Sequence, residues 1–352
     1  MRDFGVKARL AQEFVGFIGS AKEFRHLMGE KDPSSKQYHR SYTAAEIRAA
    51  RLKLMGYDSS VTRPKVMPPI INSRMSKGGT GKTTVAANIA STMAMRGYRV
   101  LMIDGDPQAS LTGLYGIDWA KEEITHIGEL MHRVYKGKPT DIGSAIRPMY
   151  ANRMLDLIAS DITLADADSW LLGATGRESM FDRLLTSEID FFAQYDVIVI
   201  DSAPGTTLLT NTLMYPCKTI LAVVKLDGQS LKAMQVLSSN IREINNVLKR
   251  NLDTLIVANG YHHGYPLIRE ALQTLAAAYP GSVYDEPLPH SSSFMRQMDL
   301  FTDENSGPIL EREQNSVAAR SIIDLTKALI SYYGVQLSGL STVAAAKNRA
   351  TA

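Results

Sequence analysis

Nine consecutive residues, Ser76-Lys77-Gly78-Gly79-Thr80-Gly81-Lys82-Thr83-Thr84, constrain the fold of this chain more than any other stretch. They follow the apolar pair Ile70-Ile71 and open a helix-patterned segment, Val85-Ala86-Ala87-Asn88-Ile89-Ala90, that closes at Gly97. Strand, glycine-rich turn and helix in that order make a phosphate-binding unit. The glycines let successive N–H groups point into one concavity and approach an anion closely. The helix adds the positive end of its dipole. Lys82 supplies a point charge for β- and γ-phosphates, and the Thr83 hydroxyl suits a magnesium ion. Thr84 can reach a phosphate through its hydroxyl or amide. Ser76 stands where the strict pattern has glycine, and Lys77 adds a second lysine that one set of phosphates does not need.

Two further segments extend the loop into a site. Arg99-Val100-Leu101-Met102-Ile103 reads as a buried strand ending in Asp104-Gly105-Asp106-Pro107-Gln108. Val197-Ile198-Val199-Ile200 reads as another, ending in Asp201-Ser202-Ala203-Pro204-Gly205. Continuous apolar, β-branched runs suit parallel strands covered on both faces. In open α/β sheets the ligand sits beyond the carboxyl ends of the strands, so Lys82, Asp104, Asp106 and Asp201 are expected to converge. Carboxylates beside a triphosphate repel it unless a cation lies between, which points to magnesium held by Thr83, Asp104 and Asp201. The competing reading of Asp201 alone is a strand-ending turn or a helix cap.

With these strings in hand, the chain resembles the ParA family of partition ATPases. That family belongs to the deviant Walker-A group, with the MinD division-site proteins and the nitrogenase iron proteins. The resemblance covers roughly residues 66 to 335. It implies ATP as substrate and Mg2+ as cofactor, bound by Lys77 to Thr84, with Lys77, Lys82 and Asp106 as the catalytic set. Lys77 would be the signature lysine, reaching across an ATP-dependent homodimer to the phosphate held by the other subunit. Asp106 would orient the attacking water, and Asp201 would hold magnesium through a water. The Pro289 loop is similar to the family's Ile-Pro-Arg-Ser segment, whose backbone approaches adenine, with Leu288 and His290 in place of isoleucine and arginine.

Composition narrows the branch. One cysteine, Cys217, excludes a disulfide framework within the chain and the shared iron–sulfur cluster of the iron proteins. It reads as a packed residue near the start of a strand. No run of 18 apolar residues occurs and the first residues lack signal-peptide order, so the expected location is cytoplasmic, with no membrane, and the ParA resemblance implies association with the nucleoid. Residues 1–66 carry 13 Lys or Arg against 7 Asp or Glu in a chain of net charge +3, so a basic appendage precedes a mildly acidic core.

The expected organisation is a basic helical region over 1–60, a linker over 61–69, an ATPase domain over 70–335 and a disordered tail over 336–352. Apolar spacing predicts helix over 5–28, with Leu10, Phe14, Phe17 and Ile18 as its stripe, then a polar break over 29–36. Thr43-Ala44-Ala45-Glu46 is a capping box that opens a helix stopping near Gly56. Its Arg48, Arg51 and Lys53 look similar to the amino-terminal region of larger ParA proteins, which binds an operator and supports dimerisation. The region serves dimerisation, packing or DNA binding on this reading.

The core keeps a βα rhythm. Strands are expected at Leu155–Ile158, Thr219–Val224 and Leu255–Ala258, with helices through Ser179–Leu185, Leu231–Leu248 and Val317–Tyr333. The fold class is α/β: a twisted, mainly parallel sheet flanked by helices, with a small α-helical amino-terminal extension. Non-specific DNA binding needs cations on one exposed face. Arg242, Lys249 and Arg250, 7 and 8 residues apart on one helix, are the candidates, against a solvated face that complements the helix dipole. The expected function is a partition ATPase whose Mg-ATP dimer coats DNA and is released by slow hydrolysis, stimulated by a ParB-type centromere-binding partner. Autorepression through the amino-terminal region, and positioning of a protein cargo, are the alternatives.

Overall fold

Ten strands are present among the described residues of the computed structural model, which are Arg2, 4–29, 40–57, 65–297 and 307–337. β1 (Val6–Lys7) and β2 (Ser41–Tyr42) form a small antiparallel ribbon. β3 (Ile70–Arg74), β4 (Val100–Gly105), β5 (Ile146–Tyr150), β6 (Leu155–Ile158), β7 (Val197–Ser202), β8 (Thr219–Lys225), β9 (Asp253–Tyr261) and β10 (Leu288–Pro289) form one sheet. Its spatial order is β10-β9-β8-β3-β7-β4-β6-β5. Neighbours run parallel except β5, which lies antiparallel to β6 at one edge. Every residue of β3, β4, β6 and β7 is buried, as parallel strands covered on both faces require. The expected strands all form. The edge strand β5 was not foreseen, because Arg147 and Pro148 interrupt its pattern, and an edge is where a proline is tolerated.

Four helices matter most for placing the site and its flank: α1 (Ala8–Val15), α2 (Ala21–Leu27), α3 (Ala44–Leu54) and α4 (Lys82–Met95). α4 is buried from Val85 to Met95, wedged between the sheet, α3 and the helix Val317–Tyr332. Phe14, Phe24, Tyr42 and Ile47 share one apolar cluster with Ile89, Met93, Ile322 and Leu325. Burying each such side chain stabilises by roughly 1.5–3 kcal/mol. The amino-terminal helices therefore lie on the flank of the sheet domain.

Their basic residues anchor them there. Arg48 is buried and pairs with Asp196, and it also donates to Gly97 O at 2.9 Å. Arg51 donates to Arg96 O and, at 3.1 Å, to Tyr98 Oη, with its guanidinium over the Tyr98 ring. The Thr43 capping box forms as expected: Glu46 N donates to Thr43 Oγ1 at 3.3 Å and Thr43 N to Glu46 Oε2 at 2.8 Å.

The single helix expected over 5–28 is two helices. Gly16 adopts φ +73°, its N–H and that of Phe17 return to Gln12 O, and Ser20 starts α2 with its own capping box. Ile18 falls in the break and is 99% exposed, so it leaves the stripe assigned to it. Residues 30–36 of the polar break, 61–64 of the linker and 338–352 of the tail lie outside the described residues.

Candidate functional site

The site lies beyond the carboxyl ends of β3, β7 and β4, where the phosphate loop enters α4. Gly81 has φ +96°, and a Cβ there would meet Asn259 Nδ2 at 2.3 Å. Asn259, at the end of β9, donates to Thr80 O at 2.9 Å and so braces the loop. Ser73 Oγ donates to Lys82 O at 3.2 Å from below, and Gly205 N donates to Ser76 O at 3.1 Å from the side. The loop thus keeps its curl by contacts to three separate strand ends. The Lys82 side chain is buried, and its ammonium donates to Lys77 O at 3.3 Å. Burial pushes its pKa down, opposed by the Asp201 and Asp106 charges.

Thr83 Oγ1 donates to Asp201 Oδ2 at 2.6 Å, while Asp201 Oδ1 is buried without a partner among the described residues. An orphaned carboxylate oxygen beside a hydroxyl fits a hard cation that takes oxygen ligands. Asp104 aligns with Asp201 across the β4–β7 ladder. Its oxygens turn elsewhere: Oδ2 accepts from Thr112 N at 2.9 Å and Thr112 Oγ1 at 2.7 Å, and Oδ1 from Asp106 N at 3.2 Å. Of the three expected metal residues, two meet directly. Asp104 instead anchors the turn that carries Asp106. Asp106 Oδ1 accepts from Gln108 N at 2.9 Å, and its charge reaches both Lys82 and Asp201.

Burial raises Asp104 to about 7, against hydrogen bonds from Thr112 and Asp106. Burial and then the Asp104 charge raise Asp201 to about 8. Both folded values exceed the unfolded one, about 4. Protonation therefore stabilises the fold, fully at low pH, and that contribution is lost as pH climbs through about 7 to 8. In EDTA the protein is expected to melt lower at about pH 9 than at about pH 6, and Asp201→Asn to flatten the difference. A wild-type melting curve that ignores pH in this window would show that these carboxyls are solvated.

Lys77 is held within its own chain. Its ammonium donates to Asp227 Oδ1 at 3.1 Å, to Oδ2 at 3.3 Å and to Ser230 Oγ at 3.4 Å. Asp227 is also the cap of the helix Gly228–Leu248, accepting from Ser230 N at 2.7 Å. Against slight desolvation, the bonds from Ser230 and Lys77 hold Asp227 below the usual carboxylate range. Neither Asp227 nor Asn259 was singled out in the sequence. Asp227-Gly228-Gln229-Ser230 was legible as a cap; its meeting with Lys77, 150 positions away, was not.

Pro289 lies in β10 opposite Tyr261, and His290 N donates to Tyr261 O at 2.8 Å, so this segment borders β9 beside the loop. His262 packs against Tyr265 and His290, with ring centroids 4.6 and 6.2 Å away. Cys217 is buried just before β8, its thiol pushed up to about 12 by burial. The DNA candidates are split. Arg242 is exposed on the helix, but the helix ends at Leu248. Lys249 takes φ +52°, and Arg250 folds back over the Tyr215 ring at 4.7 Å. The shared helical face expected for all three is therefore broken by the left-handed turn at Lys249. No helix among the described residues is long and apolar enough to cross a membrane.

Comparison with known proteins agrees with this fold. The profile of the AAA domain family AAA_31 matches residues 69–254. The cell division protein PomZ of Myxococcus xanthus is 29% identical over 249 residues, which is 70% of this chain and 73% of PomZ. The chromosome partitioning protein ParA of Caulobacter vibrioides is 26% identical over 216 residues, 61% of this chain and 78% of that protein. Among solved structures, McdA of Cyanothece in complex with ATP superposes with a TM-score of 0.63 at 16% identity, covering 77% of this chain and 97% of McdA. That likeness speaks for the fold alone. The matched span exceeds half the chain and contains the loop, both aspartate-ended strands and the Thr83–Asp201 contact, so this protein belongs to the AAA domain family AAA_31, with ParA-type proteins among its relatives.

Proposed function

We propose that this chain is a ParA-type ATPase, a switch that uses Mg-ATP to dimerise on DNA and hydrolysis to leave it. The observation that carries the reading is the Thr83 hydroxyl on Asp201, with the second Asp201 oxygen buried and unpartnered among the described residues, within reach of the Lys82 charge. On this reading the amides of Gly78 to Thr84 cradle the phosphates and Lys82 neutralises them. Thr83 and Asp201 hold magnesium, which when bound offsets charge on the transferred phosphoryl group. Asp106 orients the attacking water. Lys77 leaves Asp227 and delivers its cation to the phosphate bound by a second copy, so that dimerisation depends on the terminal phosphate. Pro289 and the residues around it border the base.

DNA is held without sequence reading by exposed cations, Arg242 and Lys249 first among them, with Arg250 contributing charge from beside Tyr215. A ParB-type partner would stimulate turnover, and the protein would sit on the nucleoid in the cytoplasm. The packing of Arg48 and Arg51 against the sheet domain favours a structural role for the amino-terminal helices over operator reading. Retention on DNA of unrelated sequence tests the proposal. It is expected only with a non-hydrolysable ATP analogue and magnesium, and to fall steeply with salt. The double variant Arg242→Ala/Lys249→Ala should lower the slope of log affinity against log salt by roughly one per lost phosphate contact. Equal retention with ADP, or none with either nucleotide, would sink the switch.

A further inference from the structure

An arginine ends β3, inside the sheet domain and beside the buried polar residues Asn72 and Ser73. Arg74 is wholly buried, on the strand that pairs with β7 on one side and β8 on the other. Alternation puts it on the face of Asn72, under the helix Leu208–Met214. Asn72 Nδ2 donates to Leu213 O at 3.2 Å and Arg74 Nε to Met214 Sδ at 3.1 Å. One terminal nitrogen of Arg74 donates to Ala203 O at 3.1 Å, in the turn that follows Asp201. The other is buried with no partner among the described residues. Burial alone lowers this guanidinium to about 10. A thioether and one carbonyl are poor compensation for a desolvated cation, so the residue destabilises the fold that contains it. Its charge acts on Lys82, which places it within electrostatic reach of the phosphate loop.

We propose that Arg74 is a positioning residue of the nucleotide site: it holds the Ala203 carbonyl, fixing the Ser202–Gly205 turn against the phosphate loop, and its uncompensated charge favours the more highly charged polyphosphate. The turn is pinned from both sides, by Arg74 at Ala203 and by the Gly205 N–H on Ser76 O. Movement at Ala203 is thereby passed to the residue next to Lys77. The inference rests on the nucleotide reading above.

Arg74→Met and Arg74→Lys test it, with melting temperature, affinity for ADP and for a non-hydrolysable ATP analogue, and turnover at saturation measured on each full-length chain. Arg74→Met is expected to melt at or above the wild-type temperature, since it removes a buried unpaired charge. It should bind the ATP analogue about 10-fold more weakly, lose less affinity for ADP, and turn over about 10-fold more slowly. Arg74→Lys should restore the affinity through its charge but not the turnover, because the planar fork is lost. Wild-type affinity and turnover in Arg74→Met would overturn the proposal. So would an equal loss for both nucleotides together with a lower melting temperature. A wild-type chain that binds neither nucleotide overturns the nucleotide reading itself, and this inference with it.

Discussion

Replacing Lys77 by glutamine is expected to abolish ATP-dependent dimerisation and to cut turnover by about 10³-fold, while monomer nucleotide binding is largely kept. The magnitude is that of a cation supplied in trans to a phosphoryl transition state. Lys82, not Lys77, is the lysine buried at the start of α4, so the monomer's own phosphate contacts survive the change. Sedimentation with a non-hydrolysable analogue reads the dimer, and a coupled assay reads turnover. A companion variant sharpens the result. Asp227→Asn keeps a good helix cap but loses the charge that holds Lys77. It should dimerise at several-fold lower nucleotide concentration. If Lys77→Gln dimerised as the wild type does, the lysine would have no role across an interface.

Asp106→Ala should stop turnover while preserving the dimer, the opposite pairing of effects. A side chain that positions and deprotonates water is worth on the order of 10²–10⁴ in rate, and little of that is binding energy for the ground state. Asp106 takes no part in bracing the phosphate loop: its carboxylate accepts from Gln108 N within its own turn. The variant should therefore bind ATP and remain dimeric and DNA-bound long after wild type has dissociated. Dissociation at the wild-type rate from DNA, after ATP is diluted away, would remove Asp106 from the hydrolytic step.

The centre of this fold was legible because its constraints are local. A phosphate loop must follow a strand and open a helix, and a continuous apolar run of strand length marks a strand covered on both faces, which is how Val100–Ile103 and Val197–Ile200 betray themselves. The capping box at Thr43 is equally local. What escaped depends on distant partners or on a single dihedral. Gly16 could have continued a helix as easily as ended one, and the 3.6-residue period that joins Arg242 to Lys249 says nothing of a left-handed turn between Leu248 and Arg250. Asp227 drew no attention, since its meeting with Lys77 joins residues 150 positions apart. Asp104 seemed destined for a metal until Thr112, on the following helix, claimed one of its oxygens and Asp106 N the other. Arg74 follows the pair Ile70-Ile71 in β3, and nothing in the sequence says that its side chain is buried or that it reaches the Ala203 carbonyl.

The way α3 grips the sheet domain bears on how such a protein can evolve and be trimmed. Arg48 ties Asp196 and Gly97 together, and both flank the segment that leads into β4 and so to Asp104 and Asp106. A shortened gene that began at the phosphate-loop strand would remove the Arg48 contacts to Asp196 and to Gly97 O, together with the part of the apolar cluster that α1, α2 and α3 supply. Removing α3 is expected to loosen the segments that lead into β4 and β7, not merely to shed an appendage.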